Sequence, residues 1–292
     1  MLSILRASLR TGRVTRDHSD PAEAGACRGR PQLDPARCDG AAACASVCPS
    51  GAITLTQAAS GTRRWQLDLA RCVFCGLCQE VCPHRAITMT NQHELAARSR
   101  DDLIVGVAIS AQGAEPSGGR KESDGIVVPL ASPACPERAV APGALLTARI
   151  RGLLKRSLHI RHMAAGSDNS CDWEIAHLLN PVYDIQRLGI DFVASPRHAD
   201  LLMVTGAVTR NLKPALYATY EAMPSPRLVA AVGSEACGGG VLQGAYAVAG
   251  GVDRCLPVDV YIPGDPPHPR ALIQGLLIAL QRLEPKPINR GL

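Results

Sequence analysis

The chain has 292 residues and a net charge of +5, and it is 46% hydrophobic but only 3% aromatic. Such a composition fills a core large enough for two domains with aliphatic and small side chains, and its basic residues lack the interleaved aromatics of a nucleic-acid surface. No run approaches the roughly 20 apolar residues of a membrane span; the longest candidate, around Leu272 to Leu280, is too short.

Residues 1–30 read as an N-terminal arm. From Leu2 to Leu9 apolar residues are interrupted by arginine, so no export signal forms, and the segment suits a short basic amphipathic helix or a frayed end before Pro21 and Gly25. Without such a signal the cysteines are expected to be free thiols in a reducing compartment.

Residues 31–105 form a cysteine-rich unit with an internal repeat. Asp34-Pro-Ala-Arg-Cys38 leads to Cys48-Pro49-Ser-Gly-Ala-Ile53-Thr54, and Asp68-Leu-Ala-Arg-Cys72 leads to Cys82-Pro83-His-Arg-Ala-Ile87-Thr88. Two copies of a half-module imply a pseudo-twofold α+β fold. Cys72, Cys75 and Cys78 are spaced to wrap one cuboidal iron–sulfur cluster, and a fourth cysteine followed by proline ligates the other cluster in two-cluster ferredoxins. That swap assigns Cys72, Cys75, Cys78 and Cys48 to a 4Fe–4S cluster. A zinc knuckle is the competing reading, but zinc sites lack a four-cysteine run ending in proline. The first copy has Ala41 where its second thiolate would stand, leaving Cys38, Cys44 and Cys82 for a 3Fe–4S cluster or an incompletely ligated 4Fe–4S cluster. Cys27 is either a fourth ligand or an unligated thiol.

Residues 106–145 read as a linker, clearest in the polar, glycine-rich stretch from Ala111 to Gly125. Arg149 to Arg161 is basic with interspersed aliphatics, suiting a surface helix or an edge strand, with an anionic partner or membrane surface as the second reading. Residues 146–292 alternate strand and helix signals. Gly189–Val193, Leu201–Val204, Leu228–Val232 and Val258–Ile262 are short apolar runs, as buried parallel strands tend to be. Helices are expected over Leu212–Met223 and, after Pro269, over Ala271–Leu280. The pattern predicts an α/β domain with a mostly parallel, flavodoxin-like sheet whose strand ends carry any site. No glycine-rich dinucleotide loop follows a strand, since Gly238-Gly-Gly240 lacks that spacing. Cys135 and Cys255 read as small buried hydrophobes.

Residues 27–105, with Cys27-Arg-Gly-Arg-Pro31, Trp65-Gln-Leu-Asp-Leu69 and Glu94-Leu-Ala-Ala, resemble the polyferredoxin subunit of formate hydrogenlyase and hydrogenase-4 complexes, a relative of the two-cluster subunit of complex I. Residues 149–285 resemble the complex I 20 kDa subunit and hydrogenase small-subunit family. The matching stretches are Ser157-Leu-His-Ile-Arg161, Ser195-Pro-Arg-His-Ala-Asp-Leu-Leu202, Thr205-Gly-Ala-Val-Thr-Arg210 and Pro257-Val-Asp-Val-Tyr-Ile-Pro-Gly264. Together they suggest a fusion of two ordinarily separate proteins.

The second resemblance implies a further 4Fe–4S cluster, but its four cysteine positions fall on Asp168, Cys171, Glu235 and Asp265. Three thiolates have become carboxylates, which are hard donors, so this C-terminal cluster is expected to be absent. Cys237 lies two residues from one expected ligand and could partly compensate. The acids are either solvated remnants or, with Cys171 or His268, a site for one harder ion or a proton relay that Asp172 and Glu174 could join.

The resemblance implies an electron-transfer subunit of a membrane-associated oxidoreductase complex, peripheral on the cytoplasmic face of the inner membrane and not catalytic alone. Its expected partners are a hydrogenase-large-subunit-like or complex I 49 kDa-like subunit and integral membrane subunits. A structural adaptor that couples partners without completing an electron chain is the alternative.

Overall fold

The structure, a computed structural model, describes residues 28–57, 63–109 and 142–280, with three isolated positions before them. Most of the arm with Cys27, the greater part of the expected linker with Cys135, and residues 281–292 lie outside the described residues.

The cysteine-rich unit runs β1 (Pro31–Leu33), α1 (Ala43–Val47), β2 (Ile53–Gln57), β3 (Arg63–Asp68), α2 (Leu77–Glu80), β4 (Ile87–Met89) and β5 (Ile104–Ile109). The repeat is visible in its hydrogen bonds. Asp34 Oδ1 accepts from the Ala36 N–H at 3.0 Å, and Asp68 Oδ1 accepts from the Ala70 N–H at 3.0 Å. Each turn thereby satisfies its own backbone ahead of a cysteine, as Asx turns do. β1 pairs antiparallel with β4, while β2, β3 and β5 form a second antiparallel sheet. Residues 106–109 complete β5.

The second unit runs α3 (Pro142–Leu154), β6 (Leu158–Ala164), α4 (Ser170–His177), β7 (Ile190–Phe192), β8 (Leu201–Thr205), β9 (Val208–Thr209), α5 (Lys213–Glu221), β10 (Leu228–Val232), α6 (Gly233–Gly238), β11 (Val248–Gly250), β12 (Val260–Ile262) and α7 (Pro269–Leu280). Five strands form an all-parallel sheet in the order β12-β10-β8-β6-β7, and β9 pairs with β11 beside it. This is the expected flavodoxin-like α/β fold.

Strand pleating divides the core. Leu201, Met203, Leu228 and Ala230 pack with Leu146, Ile150, Ile175, Leu272 and Leu276 from α3, α4 and α7. Their neighbours Leu202, Val204, Val229 and Ala231 face the other way, into a core shared with Leu216, Ala236 and the cysteine-rich unit's Trp65, Leu67 and Leu103. Both faces are covered, which is why the strands read as continuous apolar runs. The basic segment from Arg149 to Arg161 proves to be the end of α3 followed by β6. That strand is not at an edge, because fully buried Leu158 and Ile160 hold it between β7 and β8.

Candidate metal centres

In the cysteine-rich unit the loop before α2 places Cys72, Cys75 and Cys78 around one cavity, and Cys48 enters it from the end of α1. Phe74 at φ 51° and Gly76 at φ 85° turn the chain on both sides of Cys75. Burial pushes the Cys72 thiol up to about 12, and neighbouring Cys78, Cys48 and Cys75 push it the same way. Cys78 is pushed up to about 11 by burial and by Cys75. Thiols this reluctant to ionise become good ligands only when a cationic centre takes up the charge, since coordination deprotonates a thiol outright. The four line a common cavity, as a cube requires, and among the described residues no group of three or more His, Cys, Asp or Glu is placed to hold a single metal ion.

Cys38, Cys44 and Cys82 form a second group. Burial raises the thiols of Cys38 and Cys44; Asp39 and Cys82 raise Cys38 further, and Cys38 and Cys82 raise Cys44 further. The buried Trp65 indole N–H has no hydrogen-bond partner among the described residues, yet it stands at Cys44 and favours the thiolate there. An orphaned buried donor beside this group fits an anionic iron–sulfur group, whose potential hydrogen bonds to sulfur set. Cys48 Sγ accepts the Ala52 N–H and Cys82 Sγ accepts the Ala86 N–H, both at 3.2 Å. Cys44 also lies close enough to raise Cys78, so the two groups are neighbours.

The carboxyl ends of the parallel strands bring together Asp168, Cys171, Glu235 and Asp265. Cys171 is buried in α4, and any side chain added at Gly233 (φ 90°) would collide with its Sγ. Glu235 is pushed up to about 7 by burial first, then by Asp168 and Asp265. Asp265 is raised by burial and by Asp168, and the Ser234 hydroxyl opposes the shift. Asp168 Oδ1 accepts from both the N–H and the hydroxyl of Ser170, at 2.9 and 2.6 Å. Cys237 is wholly buried and donates to the Ala231 carbonyl at 3.3 Å, so it is tied to β10.

His268 packs edge-on against the rings of His93 and Tyr183, and its Nδ1 accepts the Arg270 N–H at 3.2 Å. It lines, with Asp265, Glu174 and Cys75, a cleft between the acidic group and the first thiolate group. Asp172 Oδ1 accepts the Thr205 hydroxyl at 2.5 Å and lies 3.1 Å from His162 Nε2. Burial lowers the pKa of that imidazole despite Asp172. Spacing in the sequence does not mark His162, Thr205 or the Trp65 donor; only folding brings them to sites.

Two family models match the chain: 4Fe-4S dicluster domain over residues 37–86 and NADH ubiquinone oxidoreductase, 20 Kd subunit, over residues 169–279. Probable membrane-bound hydrogenase subunit mbhJ of Pyrococcus furiosus is 43% identical over 141 residues, 47% of this chain and 84% of that one. Formate hydrogenlyase subunit 7 of Escherichia coli is 38% identical over 173 residues, 59% of this chain and 65% of that one. An NADH-quinone oxidoreductase subunit of Citrifermentans bemidjiense is 52% identical over 95 residues, 32% of this chain and 55% of that one. The chain thus spans 65% of formate hydrogenlyase subunit 7.

Proposed function

From a chain that belongs to the family of the complex I 20 kDa subunit and of membrane-bound hydrogenase subunit mbhJ, and that carries a 4Fe-4S dicluster domain ahead of it, we propose an electron-transfer subunit of a membrane-associated oxidoreductase complex. The observation that carries this is the pairing of two neighbouring thiolate groups in one small unit packed on a 20 kDa-type sheet. Bound clusters supply one-electron transfer. Cys48, Cys72, Cys75 and Cys78 hold the first, and Cys38, Cys44 and Cys82 hold the second. Phe74, Pro31 of β1 and Ile53 of β2 line the first cavity, while the N–H groups of Ala52 and Ala86 bond the two exchanged cysteines.

Asp168, Cys171, Glu235 and Asp265 hold no 4Fe–4S cluster in this reading, because one soft thiolate among three hard carboxylates matches such a cube poorly. The α/β unit docks a hydrogenase-large-subunit-like or complex I 49 kDa-like partner, and integral membrane subunits complete the complex at the cytoplasmic face of the inner membrane. Among the described residues no helix is long and apolar enough to cross a membrane. The acids at three of four family cluster positions also favour a second reading, a structural adaptor whose α/β unit passes no electrons. Electron paramagnetic resonance of the reduced protein tests the assignment. Cys75→Ser should remove one 4Fe–4S signal and leave the other. An unchanged spectrum with iron content intact overturns it, and the adaptor reading gains if the isolated complex passes electrons while every cluster of this chain stays oxidised.

A further inference from the structure

Among the described residues the second thiolate group leaves one corner without a cysteine, and we propose that this corner is a solvent-facing position where an external soft anion, of the thiolate or cyanide class, binds the cluster's corner iron. The proposal rests on the assignment of Cys38, Cys44 and Cys82 to one cluster made above.

The loop that lacks the ligand keeps the shape of the loop that has it. The two copies are offset by 34 positions, as from Cys38 to Cys72, which sets Ala41 opposite Cys75. Gly40 and Ala42 flank Ala41 at φ 75° and 60°, as Phe74 and Gly76 flank Cys75 at φ 51° and 85°. Ala42 holds a left-handed conformation that L-residues rarely adopt. The surrounding turn imposes it although Ala41 offers no donor in return.

What differs is the surroundings. Cys75 is half-buried, its carbonyl takes Arg28 Nη1 at 3.1 Å, and the cleft toward Asp265 and His268 lies beside it. Ala41 is exposed. The carboxylate nearest in sequence is already engaged, since Asp39 Oδ1 accepts the Ala41 N–H at 3.0 Å and Oδ2 lies 3.1 Å from His84 Nε2. Neither Asp39 nor His84 is therefore a ready substitute ligand. Over the same loop, Arg63 Nη1 donates to the carbonyls of Asp39 and Gly40, both at 3.2 Å. The guanidinium fills the space a Gly40 side chain would need. An exposed corner with a fixed cation above it and no protein donor among the described residues selects an anion, and iron in a sulfide cube selects a soft one.

Binding is a ligand replacement: the anion gives a lone pair to the corner iron, water or hydroxide leaves, and no electron moves. The same open corner permits iron loss. A 4Fe–4S core of charge 2+ that releases Fe2+ leaves a neutral 3Fe–4S core, and added ferricyanide removes one electron to give the 1+ core. Fe2+ and one electron from dithionite restore the cube.

The test uses the full chain, reconstituted anaerobically, reduced with dithionite and titrated with cyanide under electron paramagnetic resonance. One cluster's spectrum should shift with saturation while the other stays fixed, and Ala41→Cys should abolish the shift. Ferricyanide should generate a three-iron signal in the wild type that Ala41→Cys suppresses. Arg63→Glu should raise the half-saturating cyanide concentration roughly tenfold through lost and reversed charge, while Arg63→Lys stays near the wild type. Two four-iron clusters indifferent to saturating cyanide would overturn the proposal, because a protein group would then fill the corner. Intact spectra of both clusters in Cys38→Ser would instead overturn the underlying assignment, so the two failures are separable.

Discussion

Ala97 and Tyr261 exchange a pair of backbone hydrogen bonds, at 2.9 Å from the Ala97 N–H and 2.8 Å from the Tyr261 N–H. The bridge adds the cluster-bearing unit to the β12 edge of the parallel sheet, with Arg270 Nε 3.7 Å from Glu94 Oε1 beside it. A covered edge is protected from pairing with other chains. Ala97→Pro removes one donor, leaves the Tyr261 carbonyl without that partner and should cost about 1–3 kcal/mol. Urea unfolding of the cluster-loaded protein, followed by circular dichroism and cluster absorbance together, should show an earlier midpoint. An unmoved midpoint would mean the bridge holds nothing.

Trp65 places a buried, unpartnered side-chain N–H beside Cys44. An N–H pointing at ligated sulfur stabilises the reduced, more negative cluster, so its loss lowers the reduction potential. Trp65→Phe keeps the ring in its buried place and should lower the midpoint potential of the second cluster alone in a spectroscopic redox titration. Equal shifts of both clusters would point to a general loosening of the core instead.

Glu235 makes stability depend on pH. Its carboxyl is pushed from 4.5 up to about 7 in the folded chain, chiefly by burial and then by Asp168 and Asp265. Between those values the folded state holds a proton that the unfolded state has released, so the contribution is full below the unfolded value and is lost as pH rises through about 7. Asp265 shifts in the same direction. Glu235 is half-exposed, which limits the size of the effect. The Tm should fall by a few degrees between about pH 5 and pH 8, and Glu235→Gln should flatten the slope. A Tm that rises over that range would contradict the arrangement.

Much of this was legible in the sequence because its signals are local. The cysteine spacing, the repeated Asp-x-Ala-Arg-Cys turns and the apolar runs at Leu201–Val204 and Leu228–Val232 each fix their own neighbourhood. β6 was harder to read, because Arg156, His159 and Arg161 interrupt the apolar residues that the sheet buries from both sides. After β10 the chain folds at once into α6, since Gly233 turns tightly against Cys171 and the Ser234 N–H reaches the Gly264 carbonyl at 2.8 Å. The meeting of His162, Asp172 and Thr205 joins residues far apart in the chain, and periodicity does not report such contacts. The convergence of Asp168, Glu235 and Asp265 followed from the family resemblance, and the structure sets them within one another's electrostatic reach.

The central claim, that every cluster of this chain resides between residues 38 and 82, is tested most directly by counting iron and acid-labile sulfide per chain in the anaerobically reconstituted full-length protein. About seven to eight irons are expected, and about four more once Asp168→Cys, Glu235→Cys and Asp265→Cys are combined to restore the lost thiolates beside Cys171. About twelve irons in the wild type, with those beyond eight lost on Cys171→Ser, would contradict it.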